Sequence, residues 1–177
     1  MSTIWPLITL ILIFLGTPAN AWIDGEGNTL ENTADRKSIG NFGVWLLLID
    51  NEEKFHQEWK IPGKLNVEPV KKIKMNSSLT ALIIFSGCAA DPNGNCHVLV
   101  DFHITQPNGK SYGKMVNQPL WIDRPNPKKG TLQIGESFIR ARIEPHEPTG
   151  IYGIRAAIRD KNSGTTIDLE TTFLAHE

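Results

Sequence analysis

The chain has 177 residues, of which 18 are Lys or Arg and 19 are Asp or Glu, and its net charge is -1. This length accommodates one compact domain. The balanced charge argues against a nucleic-acid partner, because modules that bind nucleic acids carry a strong basic excess. Hydrophobic residues make up 40% of the chain, which is too high a share for general disorder.

Residues 1–21 have the features of a signal peptide. The apolar run from Leu7 to Gly16 is too short to cross a bilayer as a helix, which takes roughly 20 residues. Small residues follow in Ala19-Asn20-Ala21, the pattern that signal peptidase accepts. We therefore predict cleavage after Ala21, a periplasmic or secreted mature chain, and no membrane span after cleavage. Because no Lys or Arg precedes the run, an uncleaved anchor is the alternative.

Residues 22–41 are polar and rich in Gly and Asn, so we expect an irregular N-terminal arm. The β-sandwich domain is then expected to occupy residues 42–177. It begins with the apolar run Phe42–Ile49, which predicts a buried strand.

The next segment, 51–60, predicts a short helix. Asp50 and Glu53 are spaced as in a capping box, and Phe55 and Trp59 are four residues apart. A return strand of a hairpin is the alternative, because these two aromatic residues also share one side of an extended chain.

Alternation of apolar and polar residues dominates from Ile73 onward and predicts strands. A break is expected near Asn76-Ser77-Ser78. The next strand, 97–105, is expected to point four side chains inward, namely Val98, Val100, Phe102 and Ile104. A further strand near 111–116 precedes a proline-rich segment, 117–130, which predicts the longest loop. Three more alternating segments follow, the last two of them joined by a turn at 162–164.

Seven or eight short strands with at most one short helix predict an all-β fold. Such a chain buries the apolar sides of its strands by stacking two antiparallel sheets as a sandwich.

Cys88 and Cys96 are the only cysteines, and they flank a loop rich in turn-forming residues. In an oxidising compartment such a pair predicts a disulfide. Closing so short a loop stabilises the fold by about 2.5 kcal/mol in the chain-entropy model. A metal site would need more Cys or His nearby, and the redox C-x-x-C spacing is absent.

Two sets of motifs resemble those of exported bacterial proteins. Pro148-Thr149-Gly150-Ile151-Tyr152, with the alternation that continues to Asp160, is similar to the P-x-G-x-Y corner of their immunoglobulin-like domains. Most of residues 42–174 also resembles a family of uncharacterised exported proteins. The shared elements are Phe55-x-x-x-Trp59, Phe85-Ser86-Gly87-Cys88, Gly94-Asn95-Cys96, Asp101 and Pro107-Asn108-Gly109. The resemblance implies an immunoglobulin-like sandwich and export, and it implies no catalytic residue.

Asp101 and His103 share the polar face of one predicted strand. With a third ligand from a neighbouring strand they could bind a metal ion, whereas His97 lies too far along the strand. A metal-binding protein or a metal-dependent enzyme is therefore an alternative function. A solvated strand face with a local Asp–His hydrogen bond is the other interpretation, and we expect no cofactor.

Two further motifs are better explained as turns. Gly109-Lys110-Ser111-Tyr112-Gly113 matches the G-x-S-x-G of serine hydrolases, but a strand is predicted where their elbow requires a helix. Asp91-Pro92-Asn93-Gly94-Asn95 imitates the start of a calcium loop. Its sixth and twelfth positions are Cys96 and Phe102, where a calcium loop has Gly and Glu.

Pro119, Leu120 and Trp121 lie in the predicted long loop and are the candidate interaction surface. A plug over one end of the sandwich is the alternative for Trp121. We expect an exported, non-catalytic β-sandwich that binds a protein or a cell-envelope component. A carbohydrate-binding module that uses exposed Trp side chains is a further hypothesis.

Overall fold

The computed structural model describes residue 22, residues 29–61 and residues 67–177. The predicted signal peptide, 1–21, lies outside the described residues. The elements in chain order are β1 (Arg36–Ile39), β2 (Phe42–Ile49), α1 (Glu52–Trp59), β3 (Lys72–Lys74), β4 (Ser78–Ser86), β5 (Asn95–Thr105), β6 (Ser111–Pro125), β7 (Gln133–Arg142), β8 (Gly150–Asp160) and β9 (Thr165–His176). Within the described ranges, no helix has the length and apolar character that crossing a membrane requires.

The strands form two sheets, ordered β1-β2-β4-β7 and β3-β9-β8-β5-β6. Neighbouring strands are antiparallel except β3 and β9, which are parallel. The prediction of an all-β chain with two sheets and one short helix is therefore confirmed. The described residues contain nine strands, more than the seven or eight predicted.

Strand β1 corrects the prediction that residues 22–41 are wholly irregular. Residues 36–39 pair with β2 at the edge of the first sheet. The segment Arg-Lys-Ser-Ile has no apolar run that would predict a strand. It is a strand because it pairs with the apolar strand β2.

The main core lies between the sheets, where the period of two directs alternate side chains inward. Burial alternates strictly along β5, so the predicted inward direction of its four apolar residues is confirmed. Each large apolar side chain that is fully buried here stabilises the fold by about 1.5–3 kcal/mol. The large side chains that are essentially inaccessible to solvent include Phe85, Phe102, Leu120, Tyr152 and Phe173.

Strand β2 is buried on both faces because α1 covers the outer face of the first sheet. Leu47 and Ile49 turn toward the helix and form a second apolar cluster with Phe55. The helix begins after Asn51, whose side chain accepts a hydrogen bond from the backbone N–H of Lys54 at 2.9 Å. The predicted helix is thus confirmed, with Asn51 rather than Asp50 as its N-cap, and the hairpin alternative is wrong.

Glu52 fastens the first turn of α1 to the sheet. Its carboxylate accepts hydrogen bonds from the Arg140 guanidinium at 2.6 and 2.5 Å and from the Thr80 hydroxyl at 2.6 Å. These bonds, that of Arg140 foremost, lower the pKa of Glu52 to about 2. The helix is therefore held by a charged contact as well as by Phe55.

Strand β6 replaces most of the loop that was predicted over 117–130. It runs to Pro125 along the edge of the second sheet, with several register shifts against β5. An edge strand tolerates Pro119 and Pro125 because one side of it needs no ladder hydrogen bonds. Positive φ angles at Asn117 and Asp123, both 53°, mark two of the irregular positions. The prolines therefore indicate an edge strand here rather than a loop.

Candidate binding sites

Two of the three candidate interaction residues on β6 are buried in the core or packed against it. Leu120 is fully buried and therefore leaves the predicted surface. It fills the space above Gly135, where an added Cβ would lie 2.1 Å from a Leu120 methyl carbon. Pro119 is exposed to solvent.

Trp121 is half-buried and lies in a strand, which corrects its predicted place in a loop. Its ring is 5.4 Å from the ring of Phe85, and the Arg124 guanidinium lies 4.8 Å from the indole centroid. The indole N–H donates to the Pro125 carbonyl at 3.1 Å. Trp121 thus covers the core beside Phe85, and its polar atom is already bonded.

Asp101 and His103 lie on the outer face of β5, but each is held by a different partner. Arg159 donates two hydrogen bonds to the Asp101 carboxylate at 2.7 and 2.8 Å, and the backbone N–H of Asn117 donates a third at 2.6 Å. Chiefly because of Arg159, the pKa of Asp101 falls to about 2. His103 Nε2 lies 3.0 Å from the Ser111 hydroxyl.

The Asp101 carboxylate is therefore already hydrogen-bonded to Arg159 and to the backbone of Asn117. Among the described residues, no group of three potential ligands from His, Cys, Asp and Glu could hold a metal ion.

Ser111 begins strand β6, so the sharp strand-to-helix turn of a serine hydrolase is not formed there. Asp91 accepts hydrogen bonds from the N–H groups of Asn93 and Asn95, which also lower its pKa. The residues that imitate a calcium loop thus form a self-capped turn.

A groove on the outer face of the second sheet surrounds Asp101 and His103. It has a volume of about 530 Å³, and Ala157 lies on its floor between Asp101 and Asp168. Many of the charged groups in it have partners inside the protein. Arg155, for example, pairs with Glu170 at 3.5 Å.

The predicted disulfide between Cys88 and Cys96 is confirmed. Both residues are buried, with their Cα atoms 6.0 Å apart, and the bond closes the loop between β4 and β5. It therefore ties the first sheet to the second at one end of the sandwich.

Asp160 joins this loop to the turn between β8 and β9. It is only 1% exposed, and its carboxylate accepts hydrogen bonds from Ala89 N–H at 2.8 Å, Asn162 N–H at 3.1 Å and the Ser163 hydroxyl at 2.9 Å. The Asn162 amide in turn donates to the carbonyls of Ala89 and Asn95 at 3.0 and 2.9 Å. A buried carboxylate and one amide thus fix two loops to each other.

Asp160 is not among the residues predicted from the sequence for the site, although its position in the sequence carries a signal. Asp160 follows Ile154, Ala156 and Ile158 at the inward positions of β8. An acidic residue at an inward position beside a turn needs hydrogen-bond donors from that turn, since a buried charge without partners is costly.

These loops enclose what we call the disulfide-end cleft, with a volume of about 480 Å³. Its lining comes from four segments of the chain, within 39–42, 86–89, 126–130 and 160–165. The third segment is attached by Asn126 N–H, which donates to the Gly94 carbonyl at 2.9 Å. In the part of the chain that the structure describes, the side chains of Asn41, Asn126 and Lys129 have no hydrogen-bond partner.

Gly87 sets the depth of the disulfide-end cleft. Its φ is +72°, and a Cβ there would lie 1.9 Å from the carbonyl oxygen of Asn41. Only glycine therefore allows the turn between β1 and β2 to lie against the disulfide loop. The cleft walls are thus held by close backbone packing as well as by Asp160.

No family model and no curated protein matches the chain. Among solved structures, it is similar to a family 123 glycoside hydrolase from Clostridium perfringens, with a TM-score of 0.41 and 11% identity. It is also similar to the alkylpurine DNA glycosylase AlkC from Pseudomonas fluorescens bound to DNA containing an abasic site analog, with a TM-score of 0.36 and 13% identity. The matches cover 75% and 60% of this chain, but only 27% and 28% of the two structures. No function follows from likenesses of this degree.

Proposed function

We propose that the chain is an exported, non-catalytic binding module with an immunoglobulin-like sandwich. The strand order supports this topology, because β4 and β7 pair in one sheet while β5, β8 and β9 are neighbours in the other. A second support is Tyr152 near the start of β8, whose hydroxyl donates to the Pro148 carbonyl at 2.8 Å. This contact has the form of the tyrosine corner found in immunoglobulin domains.

Export is supported by the leader-like residues 1–21 and by the buried disulfide, since disulfides persist in oxidising compartments. The similarity of residues 42–174 to exported bacterial proteins agrees with this location. We accordingly place the mature chain in the periplasm or outside the cell, where its partner is a protein or an envelope component.

The observation that carries the proposal is the construction of the disulfide-end cleft. Its loops are fastened to one another by the disulfide, by Asp160 and by Asn162, while Asn41, Asn126 and Lys129 face solvent without partners. Binding sites are usually preformed clefts in which a few polar side chains are held in place by a fixed framework. By contrast, the carboxylates with strongly lowered pKa values, Glu52 and Asp101, are bound by arginines.

The proposal is tested by photo-cross-linking in the native host. A photo-reactive residue at Asn126 is expected to give an adduct, because Asn126 lines the disulfide-end cleft. The matched control is Ile151, which is 63% exposed at the other end of β8. An adduct from position 126 and none from position 151 supports the proposal. Adducts from position 151 alone, or from neither position, would contradict it.

A further inference from the structure

We infer that the disulfide-end cleft binds a sugar unit of an acidic saccharide, with its carboxylate at Lys129 and its hydroxyl groups at Asn41 and Asn126. The inference rests on the proposed function and names the ligand class for that same site.

The carboxamides of Asn41 and Asn126 favour a hydroxyl-rich ligand. Each carboxamide both donates and accepts hydrogen bonds, as does each hydroxyl group of a sugar. Both side chains line the disulfide-end cleft and have no partner among the described residues. A ligand with hydroxyl groups pairs with both without leaving a polar group unsatisfied.

The accessible charge in the disulfide-end cleft favours an anionic group. Lys129 lines the cleft without a partner in the described chain. The one acidic residue in the lining, Asp160, is buried and its carboxylate accepts hydrogen bonds from two loops. A carboxylate on the ligand therefore meets a lysine and no competing exposed acid in the lining.

The walls also fit a sugar ring. Ile39, which is 55% exposed, and Pro127 supply apolar surface at the cleft for the C–H face of a ring.

A peptide strand fits this site less well. One common way for a peptide to bind is to add to a sheet edge through unpaired backbone groups. In the disulfide loop these groups are already used, because Ala89 N–H bonds Asp160 and the carbonyls of Gly94 and Asn95 accept bonds from Asn126 and Asn162. Recognition in the cleft is therefore left to side chains.

The test compares a galacturonate trisaccharide with its methyl ester by isothermal titration calorimetry. The acid is expected to bind about threefold more tightly than the ester, because an ion pair with an exposed lysine contributes roughly 0.2–1 kcal/mol. Lys129→Gln is expected to remove that difference, while Asn126→Ala weakens both ligands. The control is Lys110→Gln, an exposed lysine at the opposite end of the sandwich, which should change neither affinity.

Equal affinities for acid and ester, or an unchanged preference in Lys129→Gln, would overturn the inference. If no saccharide binds but Asn126 still gives an adduct in cells, the ligand class is wrong and the proposed function stands. A protease-sensitive adduct would identify a protein partner and likewise overturn the saccharide. If neither saccharide binds and position 126 gives no adduct in cells, the proposed function fails as well.

Discussion

Single residues at the disulfide end decide whether the loops form a cleft. Asp160 and Gly87 both belong to the lining of the cleft, and each also fixes the position of a neighbouring lining segment. Asp160 does so by accepting hydrogen bonds from partly buried backbone N–H groups, and Gly87 does so by lacking a side chain. Substitutions at both positions therefore test how the cleft is supported.

Asp160→Ala should lower the free energy of unfolding by about 2 kcal/mol, because it leaves the partly buried N–H donors of Ala89 and Asn162 without their acceptor. Urea denaturation measures this loss. The control is Asp168→Ala, an exposed carboxylate on β9, for which a change below about 0.5 kcal/mol is expected. Similar losses in the two variants would contradict the role assigned to Asp160.

Gly87→Ala should destabilise the protein more than Gly164→Ala. Both glycines have a φ of +72°, but a Cβ at Gly164 meets no atom within 4 Å, whereas at Gly87 it meets the Asn41 carbonyl. The backbone strain costs about 1 kcal/mol at either site. The steric overlap at Gly87 should add about 1–3 kcal/mol. Equal shifts in thermal midpoint would mean that the turn between β1 and β2 moves away without cost.

At the scale of elements, helix α1 depends on its contact with the first sheet. Glu52 contributes stability in its ionised form, because its pKa is lowered from 4.5 to about 2 in the folded chain. That contribution is fully present above about pH 4.5 and is lost as the pH falls toward 2.

Glu52→Gln should therefore lower stability at pH 7 by about 1 kcal/mol, a modest value because the pair is partly exposed. The variant should also lose less stability than the unmodified protein between pH 4.5 and pH 2. Glu53→Gln is the matched control, since Glu53 is the exposed neighbour in the same helical turn. Parallel pH profiles for the Glu52 variant and the unmodified protein would contradict the assignment.

The elements differ in how far the sequence predicts them. Strands β2 and β5 follow from their apolar patterns, and α1 follows from the spacing of Phe55 and Trp59. The continuation of β6 was missed because prolines indicate loops unless the strand is known to be an edge, and edge position depends on the whole topology.

The candidate site was less predictable than the fold. The sequence predicts the disulfide, but it does not reveal that 39–42 and 126–130 lie beside it, since those segments are distant in the chain. Trp121 was singled out because aromatic residues often anchor interfaces. The structure instead packs it on Phe85.

For the whole molecule, the disulfide joins the sheets and shapes the candidate site. Replacing both Cys88 and Cys96 with Ser should lower the free energy of unfolding by about 2.5 kcal/mol through the entropy of the unfolded chain. Calorimetry measures this change, and the single variant Ser77→Ala, at an exposed position just before β4 and away from the disulfide loop, serves as a reference. A double variant as stable as the unmodified protein would show that Asp160 and Asn162 hold the loop unaided.

The central claim is that the molecule binds its partner through the disulfide-end cleft. Hydrogen–deuterium exchange of the purified protein, with and without solubilised envelope from its host, tests this claim most directly. We predict slower exchange in segments 39–42, 86–94, 126–130 and 160–165, which line or adjoin the cleft. Slower exchange confined to the outer groove around Ala157, or no change at all, would contradict the claim.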